Sequence, residues 1–120
     1  QEDDTEEKPA AQFIPFESES YEKAKEENKT VLLYFYANWC PTCRAEVLVV
    51  EDAFKELDGQ NVVGFRVNYN DDQVDDVERK LAEENGIVYQ HTKVIIKNGE
   101  VVEQSGYPWP DVVTYTDALK

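Results

Sequence analysis

Val31 to Tyr36 reads VLLYFY, six apolar residues in a row. A run that short, and that rich in β-formers, predicts a strand buried on both faces. Such a strand needs helices above and below it, so the rest of the chain must supply them. Ser18 or Ser20 is placed to cap a short helix running to about Asn28. After residue 43, Val47, Val50, Phe54 and Leu57 recur at helical spacing, with Glu46, Glu51 and Glu56 on the other side and Asp58-Gly59 as the stop. Val62 to Tyr69 predicts the next strand. Asp71 or Asp72 is read as the cap of a third helix with Val74, Val77 and Leu81 on one face and Asn85-Gly86 at its end.

Thr92 to Ile96 and Glu100 to Val102 flank Lys97-Asn98-Gly99, and Asn-Gly between two apolar runs is a strong hairpin signal. A last helix starts near Asp111, after Pro110, with Val112, Tyr115 and Leu119 inward. Phe13 to Phe16 forms a further short strand, which Pro15 confines to a sheet edge. The order is β-α-β-α-β-α-β-β-α. Strands separated by helices pair in parallel, and the hairpin adds an antiparallel end. The fold class is therefore α/β, a central mixed sheet with helices on both faces.

A length of 120 residues suits one domain. Residues 1–12 (QEDDTEEKPAAQ) are acidic and lack large apolar side chains, so they read as a flexible linker, leaving 13–120 as the domain. With no methionine anywhere in the chain, an exported, extracytoplasmic protein is expected, tethered to a membrane through that linker or released from it. The alternative is cytoplasmic. Lys and Arg number 12 against 26 Asp and Glu, a net charge of −14. That balance argues against nucleic acid and against anionic lipid as partners. Asp71-Asp72, Asp75-Asp76 and Glu83-Glu84 lack the spacing of a calcium loop and read as a solvated face.

The two cysteines of the chain, Cys40 and Cys43, stand two residues apart, directly after the buried strand and at the start of a helix. A helix N-terminus offers free N–H groups and partial positive charge, both of which favour a thiolate. A thiol of pKa ~8.5 falls to roughly 3.5–7.5 in such a place, and the thiolate is the species that attacks disulfides. Pro41, which fixes φ, suits the first helical position. A structural staple is disfavoured because the loop it closes is minimal. A structural zinc site needs about four ligands, and His91 is the one further soft ligand. A redox couple is the leading reading, with a metal role as the alternative.

The stretch YFYANWCPTCRAE, the helix after it, VNYNDD and the KNGEVV hairpin together resemble the thioredoxin superfamily in order and spacing, over about residues 13–119. The resemblance implies a three-layer α/β/α sandwich and a thiol–disulfide oxidoreductase. WCPTCRAE is most similar to extracytoplasmic thioredoxins of the cytochrome c maturation type, although their mid-chain insertion is absent here. By resemblance Cys40 is the exposed attacking thiol and Cys43 the buried resolving thiol. Trp39 shapes the lip of the site, and Pro41 and Thr42 lie between the sulfurs. No organic cofactor is implied, since the redox-active Cys40–Cys43 pair carries the electrons. The implied partners are proteins with disulfides or dithiols and an upstream thiol electron donor or acceptor, met by a monomer.

Three positions depart from the family pattern. Tyr34 stands where a buried acid commonly relays protons, six residues before Cys40. It either orients a proton path or fills the core. Arg66 stands for that acid's usual Lys partner. His91 stands where the family has a cis-proline, followed by the expected Thr92 beside the substrate groove. A non-proline cis bond costs about 2.5–4 kcal/mol, so a trans peptide is expected before His91. Three readings of His91 compete: it tunes the Cys40 thiolate, it completes a Cys40–Cys43–His91 set for a soft metal or iron–sulfur cluster, or it is a plain loop residue. Trp109, in Tyr107-Pro108-Trp109-Pro110, either caps the core or adds an apolar contact for a partner.

Overall fold

A computed structural model describes residues 11–58 and 60–120. Its elements follow the expected order: β1 (Gln12–Pro15), α1 (Ser18–Glu26), β2 (Thr30–Tyr36), α2 (Pro41–Glu56), β3 (Val62–Asn68), α3 (Asp76–Glu84), β4 (Thr92–Lys97), β5 (Glu100–Ser105) and α4 (Val112–Leu119). The strands form one sheet in the order β1-β3-β2-β4-β5. β1 and β2 run parallel to β3, while β4 is antiparallel to β2 and to β5. Most of the expected linker, residues 1–10, lies outside the described residues, as does Gly59 of the predicted helix stop. Gln12 already belongs to β1.

β2 is the centre of the sheet, and Val31 to Phe35 are fully buried, as an uninterrupted apolar run predicts. Alternation splits it between two layers. Val31, Leu33 and Phe35 join Phe65, Val67, Val94 and Ile96 under Tyr21 and Ala24 of α1 and Leu81 and Ala82 of α3. Leu32, Val62 and Ile95 face Val50, Ala53, Phe54 and Leu57 of α2 and Tyr115 and Leu119 of α4. Gly64 on β3 allows the close approach of α2 on this side: a Cβ there would lie 2.6 Å from the Phe54 ring and 2.8 Å from Phe13. The β4–β5 turn has positive φ at both Asn98 (54°) and Gly99 (79°), the Asn-Gly turn that matches strand twist. A bulge interrupts the β4–β5 register at Ile95/Ile96, and most of β5 is exposed, Val101 and Val102 included.

Three local expectations are corrected. α1 begins at Ser18 with Glu17 as its N-cap, and neither serine caps it. α3 is capped by Asp75 rather than Asp71 or Asp72, in a reciprocal capping box with Glu78. Glu78 reaches back to the backbone N–H of Asp75 and also accepts from Asn68 N–H, so it is buried, while Val77 is half exposed. The buried stripe of α2 is Cys43, Glu46, Val50, Ala53, Phe54, and it includes Glu46, which the apolar spacing leaves off that stripe.

Candidate functional site

β2 delivers the chain to the cysteines at the end of the sheet where the helices begin. Cys40 is the N-cap of α2, with extended backbone (φ −89°, ψ 115°), and Pro41 opens the helix. The Cys40 sulfur accepts a hydrogen bond from the Cys43 backbone N–H at 3.2 Å, so one free amide of the helix start is spent on a thiol sulfur. Both thiols are free. Cys43 is fully buried and Cys40 is 4% exposed. The expected exposed Cys40 is thus mostly covered. Its side chain folds back over the helix start among Ala37, Cys43 and Tyr36 instead of pointing outward. Pro41 and Thr42 are exposed between them.

Trp39 forms a lip. It is half exposed, and its indole N–H donates to the Asn70 carbonyl at 2.8 Å. Asn38 fastens the same loop: its backbone N–H donates to Asp71 Oδ2 at 2.8 Å and its side-chain amide to Asp72 Oδ1 at 2.9 Å. The Asn38 bond holds the Asp72 carboxyl below the usual range. Asp71 and Asp72, expected as a merely solvated face, anchor the segment that carries Cys40.

Beneath the cysteines lies a polar cluster in the layer between the sheet and α2/α4. Its centre is Glu46, one turn along α2 from Cys43 and 4% exposed. Its Oε1 accepts from the Tyr34 hydroxyl at 3.0 Å. Its Oε2 accepts from the Trp109 N–H at 2.9 Å, from the Tyr115 hydroxyl, and from Lys93 Nζ at 2.8 Å. Four donors converge on one carboxyl, so both of its buried oxygens are hydrogen-bonded. Lys93 is itself fully buried, second in β4 and directly before the apolar run Val94–Ile96. The three residues Arg66, Tyr34 and Lys93 stand opposite one another on adjacent strands, and the alternation points them to the same face.

Burial is the largest influence on the titrations here. It pushes the Cys43 thiol up to about 11, against the Ala37 backbone bond and, more weakly, the Tyr34 hydroxyl, which act to lower it. Burial, and then the Glu46 charge, raise Tyr34 and Tyr115 far above the ordinary phenol. Burial lowers the Lys93 ammonium, and Glu46 holds it up. Such perturbed groups around a thiol pair mark a functional centre.

The departures from the family pattern resolve as follows. Tyr34 is fully buried, and its hydroxyl is a member of the Glu46 cluster. The buried acid is therefore present, carried by α2 instead of β2. Arg66 does not take the place of its basic partner. It lies with its guanidinium 5.4 Å from the Tyr36 ring centre, and among the described residues its buried Nε has no hydrogen-bond partner. Lys93 takes that place from β4. The peptide before His91 is trans, as its cost predicts. His91 adopts a left-handed conformation (φ +52°), with its N–H bonded to Phe35 O at 2.7 Å. Thr92 is buried and donates to Tyr89 O at 2.8 Å. The Cys40–Cys43–His91 metal set is not formed: among the described residues, no three His, Cys, Asp or Glu side chains are grouped to hold a metal ion. Among the described residues the His91 Nδ1 is buried without a hydrogen-bond partner. Trp109 packs against Tyr115 at 4.9 Å between ring centres and so caps the core.

Glu46 and Lys93 are the functional residues that sequence reasoning missed. The signals were there: Glu46 falls in step with Cys43 and Val50 along α2, and Lys93 alternates with Ile95 in a strand buried on both faces.

Comparison with known proteins agrees with this architecture. Residues 6–113 match the model of the AhpC/TSA family. Over 83 residues the chain is 36% identical to thioredoxin H4 of Arabidopsis thaliana, covering 69% of this chain and 64% of that one, slightly under two thirds of its length. It is 32% identical over 87 residues to an H-type thioredoxin of Fagopyrum esculentum, covering 72% of this chain and 68% of the relative. The crystal structure of Trxlp from Edwardsiella tarda superposes with a TM-score of 0.73 at 23% identity, over 90% of this chain and 98% of that one, a likeness of fold.

Proposed function

Because the chain belongs to the AhpC/TSA family and the thioredoxin superfamily, we propose that it exchanges disulfides with partner proteins through Cys40 and Cys43. The observation that carries this reading is the asymmetric thiol pair at the start of α2. Cys40 retains some access and accepts an amide hydrogen bond on its sulfur, while Cys43 is sealed and held protonated by burial.

The Cys40 thiolate attacks a substrate disulfide. A Cys40–substrate bond forms, and the first substrate sulfur leaves as a thiolate. Cys43 then attacks Cys40 Sγ, closing the Cys40–Cys43 disulfide and releasing the second substrate sulfur. Two electrons pass from the Cys pair to the substrate. No other cofactor is required for that balance.

The second step needs the Cys43 proton removed, because a thiol of pKa about 11 stays protonated near neutrality. Tyr34 and Glu46 supply a route. As the Cys43 proton moves to the Tyr34 oxygen, the Tyr34 hydroxyl proton passes to Glu46 Oε1, and the bond between them reverses direction. Tyr34 is never left as a phenolate, which its burial forbids.

Trapping tests the assignment. Cys43→Ser is expected to accumulate a mixed disulfide between Cys40 and insulin, seen by non-reducing mass spectrometry, while Cys40→Ser forms none. Absence of adduct with Cys43→Ser would overturn the division of labour. Within the same reading, the WCPTCRAE stretch supports a reductant-supplying protein of the extracytoplasmic, cytochrome c maturation type. Equilibration with redox buffers checks it. A potential near or below about −270 mV fits a reductant, whereas one near about −120 to −180 mV belongs to an oxidase or isomerase and contradicts it.

A further inference from the structure

A fully buried lysine is rare because its ammonium must recover in hydrogen bonds what it loses in hydration. Lys93 recovers all three. Its Nζ donates to Glu46 Oε2 at 2.8 Å, to the His91 carbonyl at 3.0 Å and to the Tyr107 carbonyl. Three donors meet three acceptors, each on a different part of the chain: α2, the loop before β4, and the loop after β5. The last is held twice, since Trp109 N–H donates to the same Glu46 oxygen.

The two loops form opposite walls of one groove, a cavity of about 480 Å³ whose lining includes Val88, Tyr89, His91, Thr92, Tyr107 and Pro108. His91 holds its wall in a left-handed backbone that a non-glycine residue adopts at some cost. Two bonds fix it, the N–H to Phe35 O and the carbonyl from Lys93 Nζ. The trans, non-proline backbone at this point thus leaves a carbonyl turned inward, and Lys93 is the group that receives it.

We propose that Lys93 is a positioning residue that pins both walls of the substrate groove to the Glu46 carboxylate, holding in place by side-chain hydrogen bonds a loop that lacks proline. This rests on the oxidoreductase reading for its effect on turnover, but not for its effect on the loop. An apolar residue at 93 would leave the His91 and Tyr107 carbonyls without this donor and the Glu46 carboxyl without its ion-pair partner. The walls would then loosen while the cysteines stay where α2 puts them.

Lys93→Met alone strands a buried carboxylate and risks unfolding, so the test compares the charge-balanced Lys93→Met/Glu46→Gln with Glu46→Gln, and with wild type if Glu46→Gln, which strands the buried Lys93, does not fold. Both lack the carboxylate charge, and only the first lacks the pin. Against insulin, whose chain must lie in the groove, the double variant is expected to show a KM raised by roughly tenfold or more over the single variant, with kcat changed less. Against 5,5′-dithiobis(2-nitrobenzoate), a small disulfide that needs no groove, the two are expected to agree within about threefold. Equal losses on both substrates, or equal KM values for insulin, overturn the proposal. Amide hydrogen exchange supplies a readout without turnover. The His91 amide is expected to exchange at least about tenfold faster in the double variant, with the Ile95 amide unchanged. An unaltered His91 amide overturns the pin. A wild-type protein that reduces neither substrate would sink the oxidoreductase reading, and the exchange comparison would still decide on Lys93.

Discussion

The two layers on either side of the sheet are built from the same strands and differ in what they hold. The layer under α1 and α3 is apolar at its heart, with Val31, Leu33, Phe35, Phe65, Val67, Val94 and Ile96, and its buried Glu78 bonds only nearby groups at the margin. The layer under α2 and α4 is apolar only toward Leu57 and Leu119. Toward the cysteines it contains Tyr34, Glu46, Lys93 and Tyr115, all buried and mutually bonded. Buried ion pairs seldom add net stability over apolar packing. The first layer therefore holds the fold, and the second spends part of its volume on chemistry.

The largest expected effect tests the first half of that contrast. Leu33→Ala opens a cavity in the apolar layer and should cost about 2–5 kcal/mol in urea unfolding, while insulin reduction per folded molecule stays unchanged. A comparable loss of turnover would mean that the layers are not separable.

The next effect sharpens the second half. Cys43 is held up to about 11 in the folded protein, against ~8.5 for a free thiol. Between those values the unfolded chain has released the proton and the folded chain has kept it. The unfolded state binds fewer protons there, so stability falls as pH rises, by at most about 1.4 kcal/mol per pH unit. Reduced wild type should lose stability more steeply than Cys43→Ala between about pH 8.5 and 11, as measured by urea midpoints. Parallel curves would remove burial of Cys43 as the cause.

Tyr34→Phe takes the hydroxyl from Glu46 Oε1 and leaves that lone pair unmet, at about 1–3 kcal/mol. It also removes the smaller of two influences that lower the Cys43 thiol, the larger being the Ala37 backbone bond. The pH at which the mixed disulfide resolves should therefore move upward, which stopped-flow release of substrate thiol would follow. An unmoved profile would exclude Tyr34 from the proton path. The smallest effect returns to the structural layer: Asp75→Ala breaks the capping box of α3 and should cost about 1 kcal/mol by thermal melting, with no change in turnover.

The apolar layer was largely legible in the sequence. VLLYFY announced the central strand, Asn98-Gly99 its hairpin, and the cysteine spacing the start of α2. The polar layer was not, and the reason is physical. Charge is usually solvated, so Glu46 was left off the buried stripe of its helix and Lys93 passed unnoticed inside its strand. Each is buried because it has a partner on another element, and spacing in step with buried neighbours does not reveal that distant partner. The capping box of α3 was legible, in the Asp75 and Glu78 spacing, but the earlier Asp71-Asp72 pair drew the assignment away. Those aspartates instead accept from Asn38, a contact across more than thirty residues of chain.

The open edge of the sheet carries a consequence for behaviour in concentrated solution. Among the described residues β5 is an edge strand with unpaired backbone groups and two exposed valines, a template on which a second molecule can add a strand. Glu100 and Glu103 flank those valines, and the whole chain carries a charge of −14. Mutual repulsion keeps two such edges apart, while Pro15 interrupts the opposite edge at β1. Colloidal stability is thus maintained by carboxylates rather than by covering the edge. Acid that neutralises them, or salt that shortens the Debye length to about 3 Å at 1 M, turns β5 into the site where self-association begins.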